Sequence, residues 1–286
     1  MSSLNVGDFN YPVNMQMIKI CTNCESVLSD DAKYCPECSQ KTNLHRLSMH
    51  EVIHEGVHYF THADKGIFLL VRQLLFKKGN VAKEYIAGKR KKYFPPLNFY
   101  LLVATIMVLI FSFVSSPSSD VASVHPEVNQ IKDPVQKQKV IRIYERQGVA
   151  VNFINKYSNI VAMIAVPLIA FIYWLFYLRG RYNYTEHLVG CMYMTGFTNL
   201  IYAILFVPVS LIFAKGSNIS FLLIMIFILF QVIYNAIFYY HFIGKNTITS
   251  AIKASAVSFI GVGFWFSLSA ILVGVYIKNG FWGLLN

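Results

Sequence analysis

Four cysteines stand in the pattern Cys21-x2-Cys24-x10-Cys35-x2-Cys38. Each Cys-x2-Cys pair closes a tight turn that can aim two thiolates, and some of the turn's backbone N–H groups, at one ion. Four thiolates complete a closed tetrahedron, the arrangement of structural rather than catalytic zinc. Ser29, Asp30 and Asp31 as turn formers and Pro36 inside the second turn suit a short hairpin between the pairs. A segment of roughly 25 residues cannot bury enough apolar surface to fold alone, so Zn2+ is expected to supply folding free energy. Two disulfides or an iron–sulfur centre are the competing readings; a reducing cytoplasm argues against the disulfides. The fifth cysteine, Cys191, lies in an apolar run and reads as a small packing residue.

Histidines form the second group. Ser48-x-x-Glu51 has capping-box spacing, so a helix should begin near Met49, and His50, His54, His58 and His62 then recur every four residues. The spacing offers a second metal site or a pH sensor. The alternative is an amphipathic helix whose histidines mark a polar–apolar boundary, and it is preferred because no carboxylate or cysteine completes a ligand set. Further on, Glu186 and His187 open an apolar run, where they read as an interfacial anchor or helix start, or as a pair that relays protons or binds metal. Asn199, Gln231 and Asn235 lie deeper in apolar runs. They read as interhelical hydrogen-bonding groups, or as the lining of a hydrophilic pathway. Pro167 and Pro208 are expected to kink the helices that hold them.

The elements that must position these residues are mostly membrane spans. Of the 286 residues, 55% are hydrophobic and only 14% charged, against roughly 25% charged in soluble domains. Five stretches, 97–114, 160–178, 188–213, 219–240 and 254–277, meet or approach the roughly 20 apolar residues that cross a bilayer. Residues 1–18 lack a basic start followed by an apolar run, so the cysteine head is expected to stay cytoplasmic. Lys77, Lys78, Lys83 and Lys89, Arg90, Lys91, Lys92 crowd the approach to the first span, which places that side inside. The loop 115–157 and the C-terminus then fall outside, and Asp133-Pro134 should start a short helix turning Val140, Ile141 and Tyr144 towards membrane or bundle.

Between head and spans, 44–96 reads as an amphipathic helical collar. Its segment 67–76 is apolar, too short to span and interrupted by Arg72, so it should lie in the interface or pack beneath the bundle. The net charge of +11 would suit nucleic acid, but Lys89, Arg90, Lys91 and Lys92 abut a span, where they orient the protein and attract anionic lipid headgroups. The cysteine pairs, Asp64-Lys65-Gly66, Leu74-Leu75-Phe76, Tyr85-Ile86-Ala87-Gly88-Lys89-Arg90 and Tyr93-Phe94-Pro95-Pro96 resemble an uncharacterised family of zinc-ribbon membrane proteins found mainly in Bacteroidota. The likeness covers about 21–110 and continues weakly at Glu186-His187-Leu188. Glu25 and Ser39 stand where a ribbon usually has glycine after each pair. The resemblance implies a bacterial inner-membrane protein and no particular activity.

The expected fold is an all-α membrane protein. A cytoplasmic zinc ribbon (1–43) and interfacial amphipathic helices (44–96) precede a five-helix transmembrane bundle (97–286). The expected function is a membrane scaffold or adaptor whose ribbon docks a cytoplasmic protein partner, with homo-oligomers open. An oligomeric channel or small transporter using Asn199, Gln231 and Asn235 comes second, and a membrane enzyme centred on Glu186 and His187 third.

Overall fold

A computed structural model describes residues 19–43, 45–59, 66–114, 128, 130–213 and 217–280. The head is a two-stranded antiparallel ribbon, β1 (Lys19–Ile20) and β2 (Val27–Leu28), in which Lys19 pairs with Leu28 and Ile20 with Val27. Its small core is Cys21, Leu28 and Cys35, with Cys38 against it. Among the described residues, every element after the ribbon is a helix.

Helix α1 (Met49–Tyr59) begins where the capping box places it: the Glu51 amide donates to Ser48 Oγ and the Ser48 amide to the Glu51 carboxylate. Helices α2 (Gly66–Phe76) and α3 (Asn80–Ile86) form a hairpin that sinks its inner face into the bundle. Leu70, Leu74, Val81, Ala82 and Tyr85 belong to the same core as the long helices, and the Tyr234 hydroxyl donates to the Leu74 carbonyl. The turn between them must be glycine, since a Cβ on Gly79 would stand 1.9 Å from the Phe238 carbonyl. The hairpin's other side stays apolar and open, with Phe68 and Phe76 exposed.

The bundle comprises α4 (Pro96–Val114), α6 (Ser158–Phe176), α7 (Tyr184–Ile201), α9 (Ser217–Ile243) and α10 (Ile248–Asn279). Helix α7 continues through a π-helical turn, Tyr202–Phe206, into α8 (Val207–Phe213). The widened turn has a local cause. Pro208 has no N–H to give and its ring crowds the carbonyl four residues back, and the Val207 amide bonds to the Tyr202 carbonyl instead. Helix α9 packs most extensively on α10, and α7 on α4 and α6.

Among the described residues, three helices are long and apolar enough to cross a membrane: Tyr184–Phe213, Phe221–Ile243 and Ile248–Asn279. The other two expected spans form α4 and α6, 19 residues each, with shorter apolar cores at Pro96–Ser112 and Met163–Phe176. The long helices turn large apolar side chains outwards, among them Leu211, Phe221, Phe259 and Ile271, as a lipid-facing surface requires.

The expected short helix after Asp133-Pro134 is longer than its start suggests. It runs as α5, Pro134–Lys156, with Pro134 in its first turn and Asp133 accepting from the Val135 amide. Val140, Ile141 and Tyr144 are half-buried. Arg146 reaches from α5 to the carbonyls of Ile277 and Lys278 at the end of α10, 3.3 and 2.9 Å away, where a cation satisfies orphan helix carbonyls.

Candidate metal centre and its seat on the bundle

The hairpin turns bring the four cysteine sulfurs within 4.8 Å of one another, so they could hold a metal ion. Cys21 Sγ lies 3.6 Å from Cys38 Sγ and Cys24 Sγ 3.5 Å from Cys35 Sγ. These are not disulfide separations, which are about 2 Å. They are close to the edge of about 3.8 Å that sulfurs at 2.3 Å around a tetrahedral ion would span. The turns are matched: the Glu25 amide donates to the Cys21 carbonyl and the Ser39 amide to the Cys35 carbonyl. Glu25 and Ser39 have φ of 64° and 57°, the left-handed region in which glycine is at ease. The two positions where the sequence departs from the usual ribbon glycine are thus the two where the backbone favours it.

Ser26 sets the electrostatics of the site. Its hydroxyl lies 3.1 Å from both Cys24 Sγ and Cys35 Sγ, and that hydrogen bond holds the Cys35 thiol down to about 6 and lowers Cys24 as well. Burial acts the other way on Cys38, pushed up to about 11. A cation at the centre would favour the thiolate at all four positions.

The ribbon is fastened to the bundle by polar contacts. Gln40 is buried and accepts from the Lys91 amide at 3.2 Å. Beyond it, Arg46 makes a two-pronged pair with Glu186, its Nε 3.1 Å from Oε1 and its Nη2 3.0 Å from Oε2, and also donates to the Arg181 carbonyl at 2.7 Å. Glu186 is the third residue of α7 in a capping box with Asn183, whose side chain accepts from the Glu186 amide and whose amide donates to Oε2. Leu47 and Val52 follow Arg46 into the main core. The collar cations are drawn into the same seam. Lys92 and Tyr93 both donate to Glu84 Oε2, at 2.7 and 2.8 Å, while Arg90 approaches Glu51 and the His45 carbonyl. Burial works to raise the Glu84 carboxyl, but the bonds from Lys92 and Tyr93 outweigh it and hold it below its ordinary value. Lys91 is exposed and Lys89 half-buried.

His50 and His54 are exposed and their rings stack 5.8 Å apart. The His58 side chain and His62 lie outside the described residues.

Glu186 and His187 have different hydrogen-bond partners. His187 is fully buried with Nδ1 3.3 Å from the Tyr239 hydroxyl, ringed by Tyr177, Tyr182 and Phe242. Cys191 Sγ meets the same hydroxyl at 3.2 Å, and the Tyr239 ring stacks on Tyr173, which hydrogen-bonds Ser258 of α10. This buried aromatic and polar column joins α6, α7, α9 and α10. Its tyrosines were not marked as a group in the sequence: Tyr173 and Tyr177 share one apolar run, Tyr239 adjoins Tyr240 in another, Tyr182 lies between Arg181 and Asn183, and no spacing links these segments. The Asn183-x-x-Glu186 capping spacing was legible, whereas Arg46 had no local pattern to mark it.

Gln231 and Asn235 share a face, as their spacing requires, and border a cavity of about 20 Å³ with Thr195, Tyr173 and Gly261. Their carbonyl oxygens are enclosed there without a hydrogen-bond partner among the described residues. Asn199, half-buried one helical turn beyond Thr195, is not part of that lining.

The protein is thus a mostly helical chain with, among the described residues, three candidate membrane helices and a four-cysteine cluster near its N-terminus. A family model described as Protein of unknown function (DUF3667) matches residues 64–108. That stretch contains α2, α3 and most of α4. No curated protein and no solved structure matches the chain.

Proposed function

We propose that this is a membrane scaffold or adaptor of the bacterial inner membrane, in which a zinc ribbon rigidly mounted on the bundle presents a docking face to a cytoplasmic protein partner. The single observation that carries the reading is on the ribbon. The cross-strand pair Ile20 and Val27 is 55% and 70% exposed and Tyr34 is 61% exposed, while the other end of the ribbon is held by Gln40 and Arg46. A small domain that spends three of its few apolar side chains on solvent, yet is fixed in orientation, has the form of a recognition surface. Its occupant is a protein with a complementary apolar anchor. A closed four-thiolate zinc site supports a structural role for the metal.

In this reading α4 and α6 also cross the membrane, giving five spans with the head inside and the C-terminus outside. A 19-residue helix is about 28 Å long, close to the hydrocarbon thickness. The bond from Arg146 to the end of α10 draws α5 towards the side opposite the ribbon. Thiol labelling of Ser118→Cys from outside intact cells separates five spans from three, since α4 and α6 carry that loop out and back. Labelling only after permeabilisation would leave three spans.

The docking role is tested by site-specific photocross-linking from Tyr34 in native membranes. The expected result is one identified partner whose reciprocal tag recovers this protein, and whose cross-link disappears in Ile20→Ser/Val27→Ser. Unchanged cross-linking in that variant, with the ribbon still metal-loaded, would remove the docking face.

A further inference from the structure

Two loops close the bundle at the ribbon end, and between them lies a cavity of about 700 Å³. One wall is the end of α6 and the turn 177–182; the other is the end of α9 and the start of α10. Arg179, Arg181, Lys245 and Lys253 all line it, and no carboxylate does among the described residues. None of the four has a carboxylate oxygen within 4.0 Å among those residues. Four exposed like charges along one lining give it a positive potential that favours an anion.

Two further observations point to a ligand. Tyr177 and Tyr182 line the cavity at 7% and 6% exposure, and both hydroxyls are enclosed without a partner. A buried hydroxyl without a partner forfeits its hydration, and both tyrosines border the cavity, so a ligand oxygen that reached either hydroxyl would restore the lost bond. The cations are stacked on the same two rings, Lys253 4.6 Å from the Tyr177 centroid and Arg181 5.1 Å from that of Tyr182. The same two rings therefore carry two of the cations at the cavity wall. Helix α10 also starts here, with Thr247 as N-cap, and its amide end adds partial positive charge.

We infer that this cavity binds a ligand through a phosphate group. Phosphate offers several acceptor oxygens and up to two charges, which matches two guanidinium forks and two ammonium groups along one lining better than a single carboxylate does. Leu175, Phe176, Leu178 and Ile243 complete the lining, so the same cavity accepts apolar matter beside the phosphate. A phospholipid headgroup and free inorganic phosphate share this chemistry. The site is separate from the ribbon face and does not depend on the docking role.

The test uses full-length protein in detergent and native mass spectrometry with phosphatidylglycerol, with diacylglycerol as the phosphate-free control, and with inorganic phosphate. Phosphatidylglycerol should bind more tightly than diacylglycerol, and Arg179→Gln/Lys253→Gln should weaken it at least about tenfold while leaving diacylglycerol unchanged. Lys253→Arg should keep binding, and Tyr177→Phe should weaken it without any change of charge. If inorganic phosphate alone binds with the same sensitivity, the ligand is a soluble phosphate and the site stands. If the double variant melts early, Lys245→Gln, an exposed loop position, replaces it. Wild-type protein that prefers neither phosphate source, or charge variants that bind both as tightly as wild type, would overturn the inference.

Discussion

Arg46 and Glu186 are 140 residues apart in the chain, and their side chains meet in a two-pronged ion pair. Glu186 is almost fully enclosed, its side chain 5% exposed, whereas Arg46 remains 59% exposed. The pair thus closes the N-terminus of α7 from the water side. A buried carboxylate there is already satisfied in part by the Asn183 amide, so Arg46 contributes orientation of the head as well as charge. Replacing Arg46 by Ala should cost about 1–2 kcal/mol, at the low end for a charged hydrogen bond because the guanidinium is mostly in water. Arg46→Lys keeps the charge but loses the fork, and should recover only part of it. Thermal unfolding together with limited proteolysis between the ribbon and α2 reads both effects. Equal protection in Arg46→Ala would show that the pair does not hold the head.

The metal centre separates ribbon stability from bundle stability. Purified protein should contain one zinc per chain, with sulfur at about 2.3 Å by X-ray absorption. Cys35→Ser or chelation should open 19–43 to proteolysis while the bundle stays inserted, because the ribbon core is not continuous with the main core. Ser39 sits at φ 57°, where a side chain costs on the order of 1 kcal/mol relative to glycine. Ser39→Gly should therefore tighten metal retention by roughly fivefold in a competition assay. A bundle that unfolds together with the ribbon on chelation would contradict the separation.

Acid should loosen the collar through Glu84. Burial opposes its ionisation, but Lys92 and Tyr93 hold the folded carboxyl below the ordinary value of 4.5. A carboxyl lowered in the folded state contributes stability above its unfolded pKa, and that contribution is lost as pH falls through the folded one. The melting temperature of wild type should exceed that of Glu84→Gln near neutrality, and the gap should close below about pH 4.5. A gap that persists unchanged into that acidic range would assign the effect to packing rather than ionisation.

What could be read from the sequence was what local pattern encodes. The cysteine spacing carried the four-cysteine cluster, the Ser48-x-x-Glu51 spacing carried the start of α1, and apolar run length carried the long helices. Arg46, Tyr239 and Ser258 became visible only when distant segments came together, since a salt bridge or a buried hydroxyl pair leaves no periodicity of its own. The α2–α3 hairpin shows the same limit in another form. Its hydrophobicity fits an interfacial helix as well as a core one, and the deciding fact is the clearance of Gly79 against the backbone of α9.

Gln231 and Asn235 decide between a packed bundle and a conduit. Both present an enclosed carbonyl oxygen to a cavity of about 20 Å³, and a space of that size accommodates about one water. One bridging water, with the Thr195 hydroxyl beside it, would satisfy both carbonyl oxygens and tie α7 to α9. A clamp of this kind contributes modestly, about 0.6–1 kcal/mol per bond in a membrane bundle. Gln231→Leu/Asn235→Leu should accordingly lower the unfolding temperature in detergent slightly, with insertion and zinc content unchanged. Asn199→Leu, outside the lining, should have a smaller effect. Ion flux through reconstituted wild-type protein that the double substitution silences, in protein of unchanged fold, would instead make these amides part of a pathway.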